Sequence, residues 1–152
     1  MYGIIATWRM ALEGISKADS MLKNNESAAD SIEEAIKVVE DFEYYKSVGY
    51  GGLPNEEMEV ELDAAFMDGD TLEFGCVGGI KDFANPVSIA RSLMHYDANN
   101  FLVGQGAEKY ASRHGFERKT MLTDRAKIHD HNRIHETPNT ELKPYSGHDT
   151  VG

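Results

Sequence analysis

Cysteine is almost absent from this sequence, since Cys76 is the only one among 152 residues. An intrachain disulfide is therefore excluded, which favours a reducing compartment, and we expect a cytoplasmic location. Cys76 lies in the apolar run of residues 74–77, where a lone thiol most often serves as a small core hydrophobe.

Long apolar runs are also missing. The longest are far below the roughly 18 residues that a membrane span needs, so no membrane association is expected. Met1 is followed within three residues by Ile4-Ile5 without a basic region, a long apolar stretch and a cleavage site, which predicts no secretory signal. No repeat of 20 to 50 residues occurs, which argues against solenoids and propellers.

Basic residues are scarce relative to acidic ones: 15 Lys and Arg stand against 26 Asp and Glu, for a net charge of -11. Such a field repels nucleic acid and anionic lipid, and we expect neither as a partner. The hydrophobic fraction of 41% is enough for one packed domain or half of one, and nothing divides the chain into two cores.

The first third of the chain predicts a strand followed by two helices. Residues 4–7 form a short apolar run that predicts a buried strand with Thr7 and Trp8 at its end. Leu12, Ile15 and Leu22 then predict a helix. A second helix should begin at Ser27, a favoured capping residue, because Ile32, Ala35, Ile36 and Val39 recur at helical spacing.

The middle of the chain predicts a tight turn and a β-hairpin. Glycines are too dense in residues 47–52 for a helix or a regular strand, so we expect a turn with positive φ angles. Apolar and polar residues alternate through residues 60–66, which predicts a half-buried strand. A turn at residues 68–70 and a returning strand at 72–77 complete an antiparallel hairpin.

The last part predicts two helices and a surface segment. Asn85 should cap a helix that has Pro86 in its first turn and continues to about His95. Residues 101–103 predict a strand, and residues 106–114 a helix closed by Gly115. We interpret the polar remainder to residue 147 as a partly flexible surface segment. The order of elements indicates an α+β fold.

Two patterns suggest cofactor sites and are weak. Residues 49–52 and 104–106 are glycine-rich, but they lack the spacing and the Lys-Ser/Thr of a phosphate loop and are better explained as turns. The metal-like cluster consists of His129, Asp130, His131 and His135. Its surroundings are very polar and no matching ligand pair occurs elsewhere, so we expect neither a metal nor a cofactor.

The sequence ends shortly after the bond between Asp149 and Thr150. A threonine that becomes the first residue of a chain has a hydroxyl nucleophile and a free α-amine that can act as its base. The pKa of such an amine is roughly 7.7 to 8.0, close to working pH. This bond is therefore a candidate self-cleavage site.

Motifs along nearly the whole chain resemble the glycosylasparaginase (aspartylglucosaminidase) family of N-terminal nucleophile hydrolases, precursors that cut themselves before a threonine. Residues 148–152 resemble the junction of that family, and residues 118–143 show no family pattern. The other similar motifs follow in the family's order: Thr7-Trp8, Val39-Glu40-Asp41, residues 47–52, Leu53-Pro54-Asn55, Leu62-Asp63-Ala64, Met67-Asp68, Ile80-Lys81, residues 85–91, residues 102–107 and Gly115-Phe116. Departures near Met58 and Phe83-Ala84 leave the fold unchanged; we expect them to alter a local turn, with the shape of the pocket as the less favoured alternative.

The resemblance implies half of an αββα four-layer sandwich. Residues 1–149 would be the α-subunit portion, with residues 118–147 as a variable, partly flexible segment, and residues 150–152 would begin the β-subunit. The implied partners are the β-subunit from the same precursor, within an (αβ)2 assembly, and a small-molecule amide substrate.

The same resemblance implies roles for five residues. Thr150 would attack the carbonyl carbon of Asp149 during maturation and, once released, the side-chain amide of a glycosylated asparagine. Asp149, His148 and Ser47 would serve self-processing: Asp149 as base or by local strain, His148 by orienting Asp149, and Ser47 by lying close to the cleavage site. Trp8 would line the substrate pocket.

Two alternatives stay open. The sister branch of isoaspartyl peptidases and plant-type asparaginases shares the fold and the threonine, but usually has glycine directly before that threonine. Trp8 and the pair His148-Asp149 therefore favour the glycosylasparaginase branch. The second alternative is an inactive, unprocessed or truncated fragment, because Thr150 has no free amine while it is bonded to Asp149.

Overall fold

The computed structural model describes residues 1–135, which form short helices around a small sheet. A 3₁₀ helix, Arg9–Ala11, leads into α1. The remaining elements are α1 (Leu12–Lys23), α2 (Ala28–Glu40), β1 (Glu61–Met67), β2 (Phe74–Lys81), α3 (Pro86–Leu93), β3 (Phe101–Val103), α4 (Gly104–Arg113) and α5 (Asp124–His135). The predicted α+β class is confirmed. None of the helices within residues 1–135 has the length and apolar character of a membrane span.

The sheet has the order β1-β2-β3 and confirms the predicted hairpin. β1 and β2 are antiparallel, with an irregularity between Leu62 and Ala64, and β2 and β3 are parallel. The backbone N–H groups of Asp70 and Thr71 donate to Oδ1 of Asp68, at 2.8 and 3.3 Å. Asp68 thus closes the hairpin turn with its own side chain.

One face of the sheet carries the core. Leu62, Phe66 and Val77 point to this face and are buried, and α3 and α4 pack over it. Ile89 and Leu93 of α3 are fully buried there. The alternation predicted for β1 is confirmed, except that Ala64 is only partly buried.

The other face of the sheet is apolar and uncovered by residues 1–135. Met67, Phe74, Phe101 and Val103 are 60, 46, 54 and 60% exposed. The strand register brings Met67 beside Phe74, and Phe101 beside Cys76, the thiol of which has a pKa raised by partial burial. A contiguous apolar patch of this kind is typical of a face that packs against another layer.

Helices α1 and α2 form a hairpin that is fixed to α3. Ser27 caps α2 as predicted, because its Oγ accepts the backbone N–H of Asp30 at 3.0 Å. Arg91 of α3 pairs with Asp30, at 2.7 Å, and with Glu33. These ion pairs link the first two turns of α2 to α3.

Two local predictions are wrong. Residues 4–7 form no strand, and Ile5 is 94% exposed. A strand needs a neighbour for its backbone groups, and residues 1–135 provide none for this segment. Asn85 precedes α3 as predicted but makes no side-chain capping hydrogen bond, because its left-handed backbone (φ 46°) differs from the extended conformation of a capping residue. Its Nδ2 donates to Glu40 and Asp41.

The segment after Gly115 is more ordered than predicted. Residues 124–135 form helix α5, and Met121 and Ala126 are 1% and 2% exposed. Thr123 Oγ1 accepts the backbone N–H of Ala126, at 3.2 Å, and so starts the helix. Most positions of residues 124–133 are exposed or partly exposed, as expected for a surface segment, and the continuation of the predicted segment to residue 147 lies outside the described residues.

Candidate active site

The turn at residues 47–52 is held from both sides and positions Ser47. The backbone N–H of Tyr50 donates to the carbonyl oxygen of Glu40 at 2.7 Å, and that of Gly51 to Met121 at 2.9 Å. Gly49 and Gly51 have φ angles of 65° and 82°, which confirms the predicted positive φ. The turn is thus fixed between the end of α2 and the segment before α5.

The buried carboxyl group of Glu40 connects this turn to α3. Glu40 is 3% exposed. The backbone N–H of Val87 donates to its Oε1 at 3.2 Å, and Nδ2 of Asn85 donates to its Oε2 at 3.3 Å. Because the backbone of Glu40 also accepts the bond from Tyr50, this residue joins the end of α2, the turn and the start of α3.

Burial raises the pKa of Glu40 from 4.5 to about 7. The hydrogen bonds from Val87 and Asn85 act in the opposite direction, and the negative charges of Asp41 and Glu33 raise the value slightly. A carboxyl group with a raised folded pKa stabilises the fold most below its unfolded pKa. That contribution is lost as the pH rises towards 7.

We expect Glu40→Gln to reduce the pH dependence of stability in the intact protein. The wild type should lose about 3 kcal/mol at this site between pH 4.5 and 7, and the uncharged glutamine should not. Urea unfolding at pH 5 and pH 8 measures the difference. Glu26→Gln, at an exposed position, is the control and should keep the wild-type slope; equal slopes for Glu40→Gln and the wild type would contradict the assignment.

Trp8 and Ser47, two residues singled out from the sequence, line the same open cleft. This Trp8 cleft has a volume of about 510 Å³. Its lining residues are Trp8, Arg9, Met10, Tyr44, Tyr45, Lys46 and Ser47. Trp8 is 41% exposed and has a φ angle of 68°, which is unusual for a residue with a side chain. The backbone therefore holds an aromatic ring at the edge of a solvent-accessible space.

A second cavity of about 650 Å³, the Glu40 cavity, also includes Ser47 in its lining. Glu40, Asp63, Cys76 and Phe101 line other parts of it. Asp63 has a structural role there, since its Oδ1 accepts the backbone N–H of Gly79 at 2.7 Å. Ser47 thus lines both cavities.

The remaining site residues predicted from the sequence are not found among the residues within 1–135 that line the Trp8 cleft or the Glu40 cavity. His148, Asp149 and Thr150 lie outside the described residues. Asp130, from the metal-like cluster, is buried and pairs with Arg133 at 2.8 Å. No group of three or more His, Cys, Asp or Glu side chains within residues 1–135 is arranged to hold a metal ion, and the expected absence of a metal stays a prediction.

Sequence reasoning did not identify Glu40 as a functional candidate. A signal was present, because Glu40 follows Ile36 by four residues and therefore continues the apolar face of α2. An acidic residue on such a face requires partners when it is buried. The partners themselves, Asn85 and Val87, are distant in sequence and come into contact only through the fold.

Comparison with known proteins identifies the family. The profile described as "Asparaginase" matches residues 6–149. The chain belongs to this asparaginase family. N(4)-(β-N-acetylglucosaminyl)-L-asparaginase of Elizabethkingia miricola is 31% identical over 149 residues, 98% of this chain and 44% of that protein. The resemblance seen in the sequence is thereby confirmed.

Other relatives of this asparaginase chain carry different names. Isoaspartyl peptidase/L-asparaginase of Rattus norvegicus is 37% identical over 77% of the chain and 37% of that protein. Plant-type L-asparaginase of Pyrococcus horikoshii is 44% identical over 64% of the chain and 32% of that protein. The chain spans less than half the length of each of these relatives. The family match includes Trp8, Ser47 and Asp149 and ends one residue before Thr150.

Proposed function

We propose that this chain is the first half of an amidohydrolase that hydrolyses the side-chain amide of a substituted asparagine, with Thr150 as nucleophile. The observation that carries the proposal is that Trp8 and Ser47 line one cleft of about 510 Å³. The family match, which reaches Asp149, supports it. The names of the relatives support the same reaction class, because all three contain asparaginase.

Maturation in this proposal breaks the bond between Asp149 and Thr150. The Thr150 hydroxyl oxygen attacks the carbonyl carbon of Asp149, and the acyl group moves from nitrogen to oxygen. Water then hydrolyses the ester, which leaves the carboxyl group on Asp149 and the free amine on Thr150. His148 orients Asp149, and Ser47 contacts the cleavage site.

Turnover uses the same hydroxyl with the new amine as its base. The amine takes the hydroxyl proton while the oxygen attacks the amide carbon, and it then delivers that proton to the leaving nitrogen. The C–N bond breaks, an ester between Thr150 and the aspartyl group forms, and water releases aspartate. Trp8 provides an aromatic wall that excludes water from the bound substrate.

The second half supplies the missing layers in this proposal. The uncovered apolar face of the sheet, with Met67, Phe74, Phe101 and Val103, fits the inner face of an αββα sandwich that a β-subunit completes. An (αβ)2 assembly would follow. The groups that hold the substrate's α-amino and α-carboxyl groups, and the oxyanion-hole donors, would come from that subunit. We also propose a cytoplasmic location from the single cysteine.

Two substrate types compete within this reaction class. A glycosylated asparagine is supported by the match over 98% of the chain and by the residues His148-Asp149. A β-aspartyl peptide or asparagine itself is supported by the relatives from Rattus norvegicus and Pyrococcus horikoshii. An inactive, unprocessed or truncated fragment is the remaining alternative.

The decisive experiment is the intact mass of every chain produced from the full reading frame, with sequencing of each new N-terminus. We expect two chains, one that ends at Asp149 and one that begins at Thr150. The cleaved sample should hydrolyse β-aspartyl amides. A single chain that stays uncut on prolonged incubation and shows no hydrolysis would support the inactive alternative and contradict the proposal.

A further inference from the structure

The Trp8 cleft concentrates positive charge in an acidic chain. Arg9 and Lys46 are among its lining residues, together with three aromatic side chains and no acidic one. The chain as a whole has 26 acidic and 15 basic residues. A local excess of positive charge inside a concave site attracts anions.

The positive charges around this cleft are not neutralised by carboxylates of residues 1–135. No ion pair in this part of the chain uses Arg9, Lys46 or Arg125. Arg125 instead lies over the Tyr44 ring, with its guanidinium carbon 4.3 Å from the ring centroid, and Nη1 donates to the Glu43 carbonyl oxygen at 3.4 Å. Within residues 1–135, the cleft therefore offers cations that no carboxylate pairs with.

The positive charges of Lys46 and Arg125 both affect His129 of α5. The positive charge of Lys46 is the main cause of the lowered pKa of His129, followed by burial and by the charge of Arg125. Lys46 therefore lies near α5 as well as in the Trp8 cleft. Lys46 and Arg125 therefore both place positive charge near His129 of α5.

We propose that Arg9 and Lys46 bind a carboxylate on the leaving group of the substrate, which makes β-aspartyl peptides the preferred substrate class. This inference rests on the proposed function. In a β-aspartyl dipeptide, the amine that departs carries its own α-carboxylate, one carbon from the leaving nitrogen. Arginine and lysine bind carboxylates through charge-assisted hydrogen bonds, and the aromatic rings accommodate the apolar side chain of the leaving residue.

Neutral leaving groups gain no charge–charge attraction from these cations. Ammonia from asparagine and the amino sugar from glycosylasparagine carry no carboxylate on the departing side. Both retain the α-amino and α-carboxyl groups of the aspartyl side, which a β-aspartyl peptide has as well. The proposal therefore predicts discrimination that depends on the charge of the leaving group alone.

The test compares β-aspartyl-leucine with β-aspartyl-leucinamide as substrates of the processed enzyme. The two differ only in the terminal carboxylate. We expect kcat/KM to be roughly tenfold higher for the acid at low salt and the difference to shrink in about 0.5 M NaCl. This comparison needs no variant and is independent of folding effects.

Substitutions then assign the effect to residues. Lys46→Met and Arg9→Gln should each lower kcat/KM for β-aspartyl-leucine roughly five- to tenfold and that for the leucinamide less than twofold. Lys109→Met, at an exposed position of α4 outside the cleft, is the control and should change neither value.

Failure of the inference and failure of the proposed function give different results. Equal kcat/KM for the two substrates in the wild type, equal losses in the variants, or a preference for glycosylasparagine would overturn the carboxylate site. Hydrolysis of no β-aspartyl amide by the wild type would contradict the proposed function itself.

Discussion

Thr150→Ala is expected to leave the precursor as a single chain and to abolish amide hydrolysis. Alanine has no hydroxyl oxygen to attack the carbonyl of Asp149, so the acyl shift cannot begin. Without cleavage no new terminal amine forms, and the nucleophile is also lost. Intact mass and hydrolysis of β-aspartyl-leucine measure the two effects, and we expect a rate loss of at least about 10⁴-fold.

Two variants distinguish the nucleophile from a general effect of substitution. Thr150→Ser keeps the hydroxyl and should still cut, at a lower rate. Thr120→Ala removes a hydroxyl from an exposed position within the described residues and should behave as the wild type. Cleavage of Thr150→Ala between residues 149 and 150 would exclude the proposed mechanism.

The parts of the fold predicted from sequence are those with local signals. Ser27 marks the start of α2, and the alternation in β1 with Asp68 at the turn marks the hairpin. In each case the residues that determine the structure lie within a few positions of one another. Such signals act before any tertiary contact forms.

The sequence-based predictions were less accurate where the local structure depends on contacts with residues distant in the sequence. Residues 4–7 have the composition of a strand but find no ladder partner among residues 1–135. The polar sequence of residues 124–135 predicts a partly flexible surface segment, yet these residues form helix α5, in which Ala126 is buried and which Thr123 caps. The apolar or polar composition of a segment therefore does not determine its secondary structure when that structure depends on packing against a distant part of the chain.

Some residues of the candidate site could be identified from the sequence, and others could be identified only from the structure. Trp8 and Ser47 were identified through the family resemblance, and the structure brings them to one cleft. Glu40 was not identified, because its burial depends on Val87 and Asn85, 47 and 45 residues away. The raised pKa of Glu40 is a property of that contact and cannot be read from the residue's position in α2 alone.

Gly49 links the turn of Ser47 to Glu40 by close approach. A methyl carbon placed on Gly49 would lie 2.1 Å from the Glu40 carbonyl oxygen and 2.4 Å from its Cα atom. The φ angle of Gly49 is 65°, which disfavours any residue with a side chain. Both conditions concern backbone atoms, which cannot rotate away as a flexible side chain would.

Gly49→Ala should therefore destabilise the intact protein by about 3 to 5 kcal/mol, as positive-φ strain and overpacking add together. Displacement of the turn also moves Ser47, so the precursor should remain uncut at temperatures where the protein is still folded. Urea unfolding measures the loss of stability, and intact mass measures the loss of cleavage.

Gly106→Ala is the matched control. A methyl carbon on Gly106 meets nothing within 4 Å, and because Gly106 lies in α4, we expect stability to rise by less than about 1 kcal/mol. Wild-type stability in Gly49→Ala would contradict the close approach, whereas lost stability with normal cleavage would separate the turn from self-processing.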